Sequence, residues 1–265
     1  MFQTEQINIA TAVINCKELH AQSNKKRTQL LQKIIEASTG ADIILLPAGY
    51  YDNRRMTKRS LRSLAKNVIR ILKRTGASSI VCVGVDYQGG KHQLAYAVNA
   101  KGIVAAGRKF YPTKDERGEI TTATDFLSME NGMERMFQVK GFNCYMAVCY
   151  DGFGVRHLNT ENPGVDIFLN LVHCFYEKGQ GNSGDVYFAR KGFAGVSMHW
   201  GCTVFGAAVF FGREMSERWL TGVLYSGSKS VQTFKYADNE MTWTERVEVA
   251  EGVETAIIHR YTVTR

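Results

Sequence analysis

Residues 146–151 read Met-Ala-Val-Cys-Tyr-Asp, so an apolar run ends in a thiol, a phenol and a carboxylate. Two other apolar runs end in a similar way: residues 44–50 read Ile-Leu-Leu-Pro-Ala-Gly-Tyr, and residues 107–110 read Gly-Arg-Lys-Phe. Strand ends are where α/β sheets assemble their sites. We therefore expect Cys149 at the edge of a sheet, where Lys109 would be a cation able to stabilise its thiolate.

The chain before these segments alternates strand and helix patterns. The pattern predicts a strand over 6–14, a helix capped by Asn24 and ended by Gly40, a strand over 42–46, a helix over 57–75 and a strand over 79–85. This is a β-α-β-α-β start.

Hairpins dominate the later part of the sequence. Strands 94–98 and 103–107 flank one turn, and strands 136–140 and 142–149 flank another. A strand over 165–172, a helix around 185–198 and strands near 202–211, 231–236 and 255–262 follow. Early alternation and later hairpins predict a layered α/β domain with mixed sheets and outer helices. The order of the strands does not follow from the pattern.

The composition indicates one folded domain spanning residues 1–265. The chain is 45% hydrophobic and 22% charged, as in globular proteins, and its apolar runs are too short to cross a membrane. Without a leader sequence, a cytoplasmic location is expected. The six cysteines include no CxxC pair, so we expect neither disulfides nor a structural zinc site. A net charge of +8 is only a weak indication of acidic partners.

In order and spacing, these segments resemble the nitrilase superfamily of carbon-nitrogen hydrolases. Its members place a glutamate after Leu-Pro, a lysine after Gly-x-x-Arg/Lys, and a cysteine in Cys-Tyr-Asp/Glu. Supporting matches extend over the first two thirds of the chain and fade after about residue 200; they are Gly-Ala-Asp-Ile-Ile at 40–44, Ala-Val-Asn-Ala-Lys-Gly at 97–102, Pro-Gly-Val-Asp-Ile at 163–167 and Ala-Arg-Lys-Gly at 189–192.

The resemblance implies a four-layer α-β-β-α sandwich that forms a homodimer or larger homo-oligomer. It also implies hydrolysis of a small amide or nitrile without metal or organic cofactor, with Cys149 as nucleophile and Lys109 as oxyanion partner. Glu116 would support the lysine, with Glu119 as a less favoured candidate. The candidates for substrate binding are Tyr51, Tyr150, Asp151 and His173.

Ala48 occupies the position where the resemblance demands a glutamate. Its methyl group cannot accept a proton, and acid-base catalysis contributes about 10²- to 10⁴-fold. Activity should be impaired unless another carboxylate substitutes, and the candidates by sequence are Asp52, Glu116 and Asp151. The family's Phe-Pro-Glu after the cysteine is also replaced, by Gly-Phe-Gly-Val-Arg at 152–156.

Three explanations of Ala48 stay open: an inactive homologue, a subfamily with altered chemistry, and an engineered substitution. The alternative function is accordingly a non-catalytic homologue that binds a small ligand or a protein in the same pocket.

Two other motifs are weaker. Residues 179–184 fit GxGxxG, but they occur late and do not directly follow a strand, which favours a loop beside the pocket over a dinucleotide site. A basic face on the second predicted helix would suit phosphates, although it is also typical of a solvent-exposed helix, so nucleic-acid binding is not favoured. This face comprises Arg55, Arg59, Arg62, Lys66, Arg70 and Lys73.

Overall fold

The structure is a computed structural model that describes residues 5–53, 58–224 and 240–265, and it describes the side chains in these ranges except at 53 and 58–63. The first half contains strands β1 (Gln6–Cys16), β2 (Ile43–Leu45), β3 (Tyr51–Asn53), β4 (Ile80–Tyr87), β5 (His92–Val98) and β6 (Ile103–Arg108), and helices α1 (Asn24–Ala37) and α2 (Lys58–Thr75).

The second half contains strands β7 (Met136–Val139), β8 (Phe142–Val148), β9 (Ile167–Tyr176), β10 (Thr203–Phe211), β11 (Gly222–Val223), β12 (Glu245–Glu251) and β13 (Glu254–Thr264). Its helices are α3 (Asp151–His157), α4 (Asp185–Phe188) and α5 (Ala194–Trp200), and a π-helical segment (Ala189–Phe193) joins the last two.

Strand β1 organises the sheet because two strands share one of its edges. On the other edge, β13 lies antiparallel along its whole length. On the shared edge, residues 9–11 pair in parallel with β2, and residues 14–16 pair in parallel with β10. The sheet therefore divides at β1 into two halves, ordered β1-β2-β4-β5-β6 and β1-β10-β9-β8-β7.

The side chains show that the two half-sheets face each other. In β4, Val81 packs in the cluster formed by the apolar faces of α1 and α2, whereas the next residue, Cys82, packs in a central cluster. In β8, Tyr145 packs in the cluster that contains α3 and α5, whereas Cys144 joins Cys82. Successive strand side chains point to opposite faces, so the central cluster lies between the half-sheets. This confirms the predicted four-layer α-β-β-α sandwich.

Most of the predicted elements are present. The β-α-β-α-β start corresponds to β1, α1, β2, α2 and β4, and the two hairpins correspond to β5-β6 and β7-β8. The second hairpin turns at Lys140 and Gly141, which both have positive φ, as tight hairpin turns require. The strand predicted over 231–236 lies outside the described residues.

The predicted helix cap at Asn24 is wrong by one residue. Ser23 is the cap, because its hydroxyl oxygen accepts a hydrogen bond from the Lys26 backbone N–H at 3.4 Å. Asn24 begins the helix, and its side-chain amide donates to the Asp52 carbonyl at 2.8 Å.

Four short or polar elements were not predicted: β3, α3, β11 and β12. Helix α3 contains Gly152 and Gly154, which disfavour helix by propensity. Strand β12 alternates charged residues with valine and alanine and pairs along its length with β13. Within the described ranges, no helix has both the length and the apolar character needed to cross a membrane.

The loop that follows β2 connects the two half-sheets. The Ala48 backbone N–H donates to the Val172 carbonyl of β9 at 3.0 Å, and the Gly84 N–H of β4 donates to the Pro47 carbonyl at 3.1 Å. Gly84 allows this approach, because a Cβ there would lie 2.3 Å from the Ala48 Cα. Residues 47–49 are therefore held between β4 and β9.

A buried ion pair holds the same loop from the helix side. The guanidinium of Arg27 in α1 lies 2.9 Å from a Glu254 carboxylate oxygen, and these side chains are 1% and 0% exposed. Arg27 Nη1 also donates to the carbonyls of Gly49 at 2.9 Å and Tyr50 at 2.6 Å. One charged group thus ties α1 and β13 to the loop.

We expect Arg27→Ala to lower the free energy of unfolding by about 3–5 kcal/mol, because it leaves the Glu254 carboxylate buried without its partner. Chemical denaturation measures this loss. Lys140→Ala is the matched control, because the Lys140–Asp42 pair lies at the surface and should contribute less than about 1 kcal/mol. Equal losses in the two variants would contradict an anchoring role for Arg27.

Candidate active site

Cys149 lies in the tight turn between β8 and α3. Its φ of +53° is in the left-handed region, which costs about 1–2 kcal/mol for a residue with a Cβ. The Cys149 backbone N–H donates to the Leu171 carbonyl of β9 at 2.7 Å, which fixes the turn against the neighbouring strand. Strained backbone of this kind is frequent where a reactive side chain must be held in place.

Asp151 stabilises this turn from within. One of its carboxylate oxygens accepts hydrogen bonds from the backbone N–H groups of Phe110 and Tyr111, at 2.8 and 2.9 Å. The other accepts from the Val148 N–H at 3.0 Å and from Arg135 at 3.3 Å. Burial raises the pKa of Asp151 despite these donors. Both oxygens of this carboxylate, which the sequence predicts as a substrate-binding group, are thus hydrogen bonded to backbone N–H groups, and one of them also to Arg135.

Lys109 is fully buried directly after β6. Its ammonium donates to both carboxylate oxygens of Glu116, at 2.7 and 2.6 Å. Burial alone would lower the pKa of Lys109, but the negative charges of the Cys149 thiolate and Glu116 outweigh it and raise that pKa. The lysine is therefore held as a cation beside the thiol, and the structure brings Lys109, Glu116 and Cys149 together.

Glu116 is held as an anion. It also accepts hydrogen bonds from the Thr113 backbone N–H at 2.8 Å and from the Gln93 side-chain amide at 3.0 Å. Burial would raise the pKa of Glu116, but the charge and hydrogen bonds of Lys109, together with these two donors, lower it to about 2. Its two oxygens thus accept hydrogen bonds from Lys109, Thr113 and Gln93.

Ala48 is 2% exposed and packs in the central cluster, to which Cys149 is adjacent. The next residue, Gly49, has a φ of +57°, and a Cβ there would lie 3.0 Å from a carboxylate oxygen of Asp86 and 3.3 Å from the His173 ring. The loop that carries Ala48 therefore lies against the side chains of Asp86 and His173.

His173 connects Asp86 to the thiol. Its Nε2 lies 3.1 Å from Asp86 Oδ2 and 3.3 Å from Oδ1, and its side chain also hydrogen bonds to Cys149. Burial would lower the pKa of His173, but Asp86 and Cys149 raise it well above its usual value. The sequence singled out His173 as a pocket residue and missed Asp86, although an aspartate in the apolar strand β4 was a usable signal.

Cys149 has a lowered pKa as the result of opposing effects. Burial raises the pKa of the thiol. The positive charge of Lys109 and the hydrogen bonds and charge of His173 lower it by more than burial raises it. A lowered pKa makes a thiol more nucleophilic at neutral pH, because the thiolate is the reactive form.

The two tyrosines predicted to bind substrate lie in different places. Tyr51 is fully buried in the cluster beneath α1, with its hydroxyl 3.2 Å from that of Thr28. Tyr150 is half-buried directly after Cys149, and its ring stacks on Phe153 with centroids 4.5 Å apart. The structure therefore brings Tyr150 next to the thiol and places Tyr51 in the core.

A cavity of about 420 Å³ opens beside the His173–Asp86 pair. His173 and Cys174 both line it, together with Leu19, His20, Ala21, Arg27, Ala48, Gly49, Asp52, Asp86, Tyr176, Val209 and Phe211. Cys149 is not among the described residues that line this cavity. The cavity therefore reaches His173, the side chain that also interacts with Cys149.

The predicted basic face lies partly outside the described side chains. Arg55 is outside the described residues, and the side chains of Arg59 and Arg62 are not described. Lys66, Arg70 and Lys73 are exposed on α2.

We expect iodoacetamide at about pH 7 to alkylate Cys149 faster than Cys174, because the pKa of Cys149 is lowered and that of Cys174 is raised, and the thiolate is the reactive form. Cys174 is the internal control: it is also half-buried and adjacent to His173, but burial raises its pKa. Peptide mass spectrometry after short reaction times gives both rates. Faster labelling of Cys174 would contradict an activated Cys149.

Comparisons with known proteins identify the fold. No family model and no curated protein matches the chain. A mutant of the Nesterenkonia AN1 amidase, from the nitrilase superfamily, aligns with a TM-score of 0.64 at 11% identity, over 96% of this chain and 90% of the amidase. A CN-hydrolase superfamily protein from Xanthomonas campestris, with an arsenic adduct in its active site, aligns with a TM-score of 0.56 at 12% identity, over 98% and 90%.

A glutamine-dependent NAD(+) synthetase from Cytophaga hutchinsonii aligns with a TM-score of 0.53 at 16% identity, over 77% of this chain and 36% of the synthetase. These similarities agree with the resemblance seen in the sequence. The chain therefore has the fold of the carbon-nitrogen hydrolases of the nitrilase superfamily.

Proposed function

We propose that the protein is a carbon-nitrogen hydrolase that acts on a small amide or nitrile through Cys149. The observation that carries this proposal is a thiol of lowered pKa, held in a strained turn beside the buried Lys109 cation. The fold supports it, because the Nesterenkonia protein of the same fold is an amidase. Cys149 would attack the substrate carbon, and Lys109 would stabilise the negative charge that develops on the substrate oxygen or nitrogen.

Glu116 has a supporting part in this proposal. Its carboxylate keeps Lys109 charged in a buried position where an isolated ammonium would tend to lose its proton. Because both oxygens of Glu116 are already hydrogen bonded, we assign it to positioning Lys109. Asp151 likewise positions the turn, because its oxygens accept from backbone N–H groups on both sides of the site.

Tyr150 and His173 are the substrate-binding candidates that lie beside Cys149. The chemistry needs no metal or organic cofactor, since a thiolate and an ammonium provide the nucleophile and the electrostatic stabilisation.

A non-catalytic homologue is the second candidate function. Ala48 favours it, because this residue provides no proton acceptor at the position that the resemblance assigns to the catalytic glutamate. Such a protein would bind a small ligand or a protein at the same site without turning it over.

We expect short amides or nitriles to form a Cys149-dependent adduct or product. A panel of these compounds is incubated with the unsubstituted protein and with Ala48→Glu, and intact-protein mass spectrometry and ammonia release are measured. Cys149→Ala is the control and should give neither adduct nor product, because it removes the attacking sulfur.

If no compound gives a Cys149-dependent adduct or product with either protein, the hydrolase proposal fails and the non-catalytic function is favoured. A signal that persists in Cys149→Ala would assign the chemistry to another residue.

A further inference from the structure

We propose that His173, oriented by Asp86, performs the proton transfers for which Ala48 has no group. This proposal rests on the hydrolase function proposed above and names the acid-base residue of the same site. It makes the reacting unit a Cys149–His173–Asp86 triad, with Lys109 beside it. Arrangements of a nucleophile, a base and a group that orients the base recur on unrelated folds, so the roles follow from geometry.

The geometry assigns one role to each ring nitrogen of His173. Nε2 faces the Asp86 carboxylate at 3.1 Å, so Nδ1 is the nitrogen left to hydrogen bond with the Cys149 sulfur. An imidazole that donates one N–H to a carboxylate is fixed in tautomer and orientation, and its other nitrogen can then accept or return a proton. The three side chains come from β4, β9 and the turn after β8.

The carboxylates considered from the sequence are less suited to this task. The oxygens of Glu116 are hydrogen bonded to Lys109, Thr113 and Gln93. Asp151 is fully buried, with donors at both oxygens. Asp52 is exposed at the cavity that Asp86 and His173 also line.

Small residues in the loop leave room for this pair. Gly49 lies against Asp86 and His173 so closely that even a Cβ would crowd both side chains. Ala48, next to it, presents only a methyl group. Ala48 and Asp86 line the same cavity, so a glutamate at position 48 would bring a second carboxylate to that cavity, and like charges close together repel each other.

This triad can carry out every proton transfer that amide hydrolysis requires. In the resting pair His173 holds the proton, so the Cys149 thiolate forms a bond to the carbonyl carbon and the carbonyl π electrons move to the oxygen beside Lys109. When the carbonyl re-forms, the carbon-nitrogen bond breaks and His173 gives its proton to the departing amine. Water then attacks the thioester and passes a proton to His173, the carbon-sulfur bond breaks, and the Cys149 thiolate and the protonated His173 are restored.

Several ionisable groups lie around the Cys149–His173 pair. On the Cys149 side these are Lys109 after β6, Glu116 and Asp151 through that lysine, and Tyr150. On the His173 side they are Asp86 in β4, Cys174 in β9, and the cavity residues His20, Arg27 and Asp52.

The test compares His173→Gln and Asp86→Asn with the unsubstituted protein by two readouts: turnover of the amide hydrolysed in the panel, and the pH profile of Cys149 alkylation by iodoacetamide. We expect His173→Gln to reduce turnover by about 10²- to 10⁴-fold. Both variants should move the alkylation profile to higher pH. His173→Gln removes the imidazolium that stabilises the thiolate, and Asp86→Asn removes the carboxylate that stabilises the imidazolium. Ala48→Glu should not increase turnover.

His199→Gln is the matched control, because His199 lies on α5 and its Nε2 bonds to the Thr160 carbonyl at 2.9 Å. It should leave turnover and the alkylation profile unchanged. Circular dichroism of each variant shows whether it is folded, and Asp86→Asn, which keeps the size of the side chain, replaces His173→Gln if the latter does not fold.

The two proposals fail separately. Amide turnover that His173→Gln retains within a few fold, with an unchanged alkylation profile, would overturn the role of His173 and leave the hydrolase proposal intact. If no amide or nitrile gives a Cys149-dependent adduct or product, the hydrolase proposal fails, and an unchanged alkylation profile in both His173→Gln and Asp86→Asn would then also overturn the triad.

Discussion

The site depends on two backbone hydrogen bonds that join the half-sheets through one loop, from Ala48 N–H to the Val172 carbonyl and from Gly84 N–H to the Pro47 carbonyl. Strands β4 and β9 belong to different half-sheets, and these bonds hold both strands beside the same three loop residues. Asp86 follows Gly84 by two residues, and His173 follows Val172 directly. Their meeting is therefore a consequence of how the two half-sheets are joined.

The electrostatics of the site follow from this convergence. Glu116, Lys109, Cys149, His173 and Asp86 form a row in which negative and positive charges alternate once the thiol has lost its proton. Burial opposes the charged form of the lysine, the thiol and the imidazole, but each has an oppositely charged neighbour. Paired charges in a low-dielectric setting stabilise each other more strongly than they would in water. The row thus keeps a thiolate available at the end of β8.

The predictable part of the site was local in sequence. Cys149 and Lys109 each end an apolar run, and the order of those runs along the chain was enough to indicate the fold. The ion pair between Asp86 and His173 joins residues 87 positions apart, and it forms only because the half-sheets meet. A periodicity pattern gives no information on contacts between sheets, so His173 was assigned to the pocket and Asp86 was overlooked. The order of the strands was not predictable for the same reason.

The fold was predicted more completely than the site, because core strands such as β8 and β10 are themselves runs of buried, mostly apolar residues. The exceptions have local causes: two glycines in α3, three charged glutamates in β12, and a cap in which Ser23 displaces Asn24. The cap is a contact within one turn, from the Lys26 N–H to Ser23, whereas β12 depends on its pairing with β13.

The central claim is that Cys149 and His173 share a proton and that Asp86 holds the imidazole. Nuclear magnetic resonance titration of the His173 ring nitrogens, in the unsubstituted protein and in Cys149→Ala, tests this most directly. The account predicts an imidazole that stays protonated well above the usual pKa of histidine, with a pKa that falls when the thiol is removed. An ordinary histidine pKa that is the same in both proteins would contradict it.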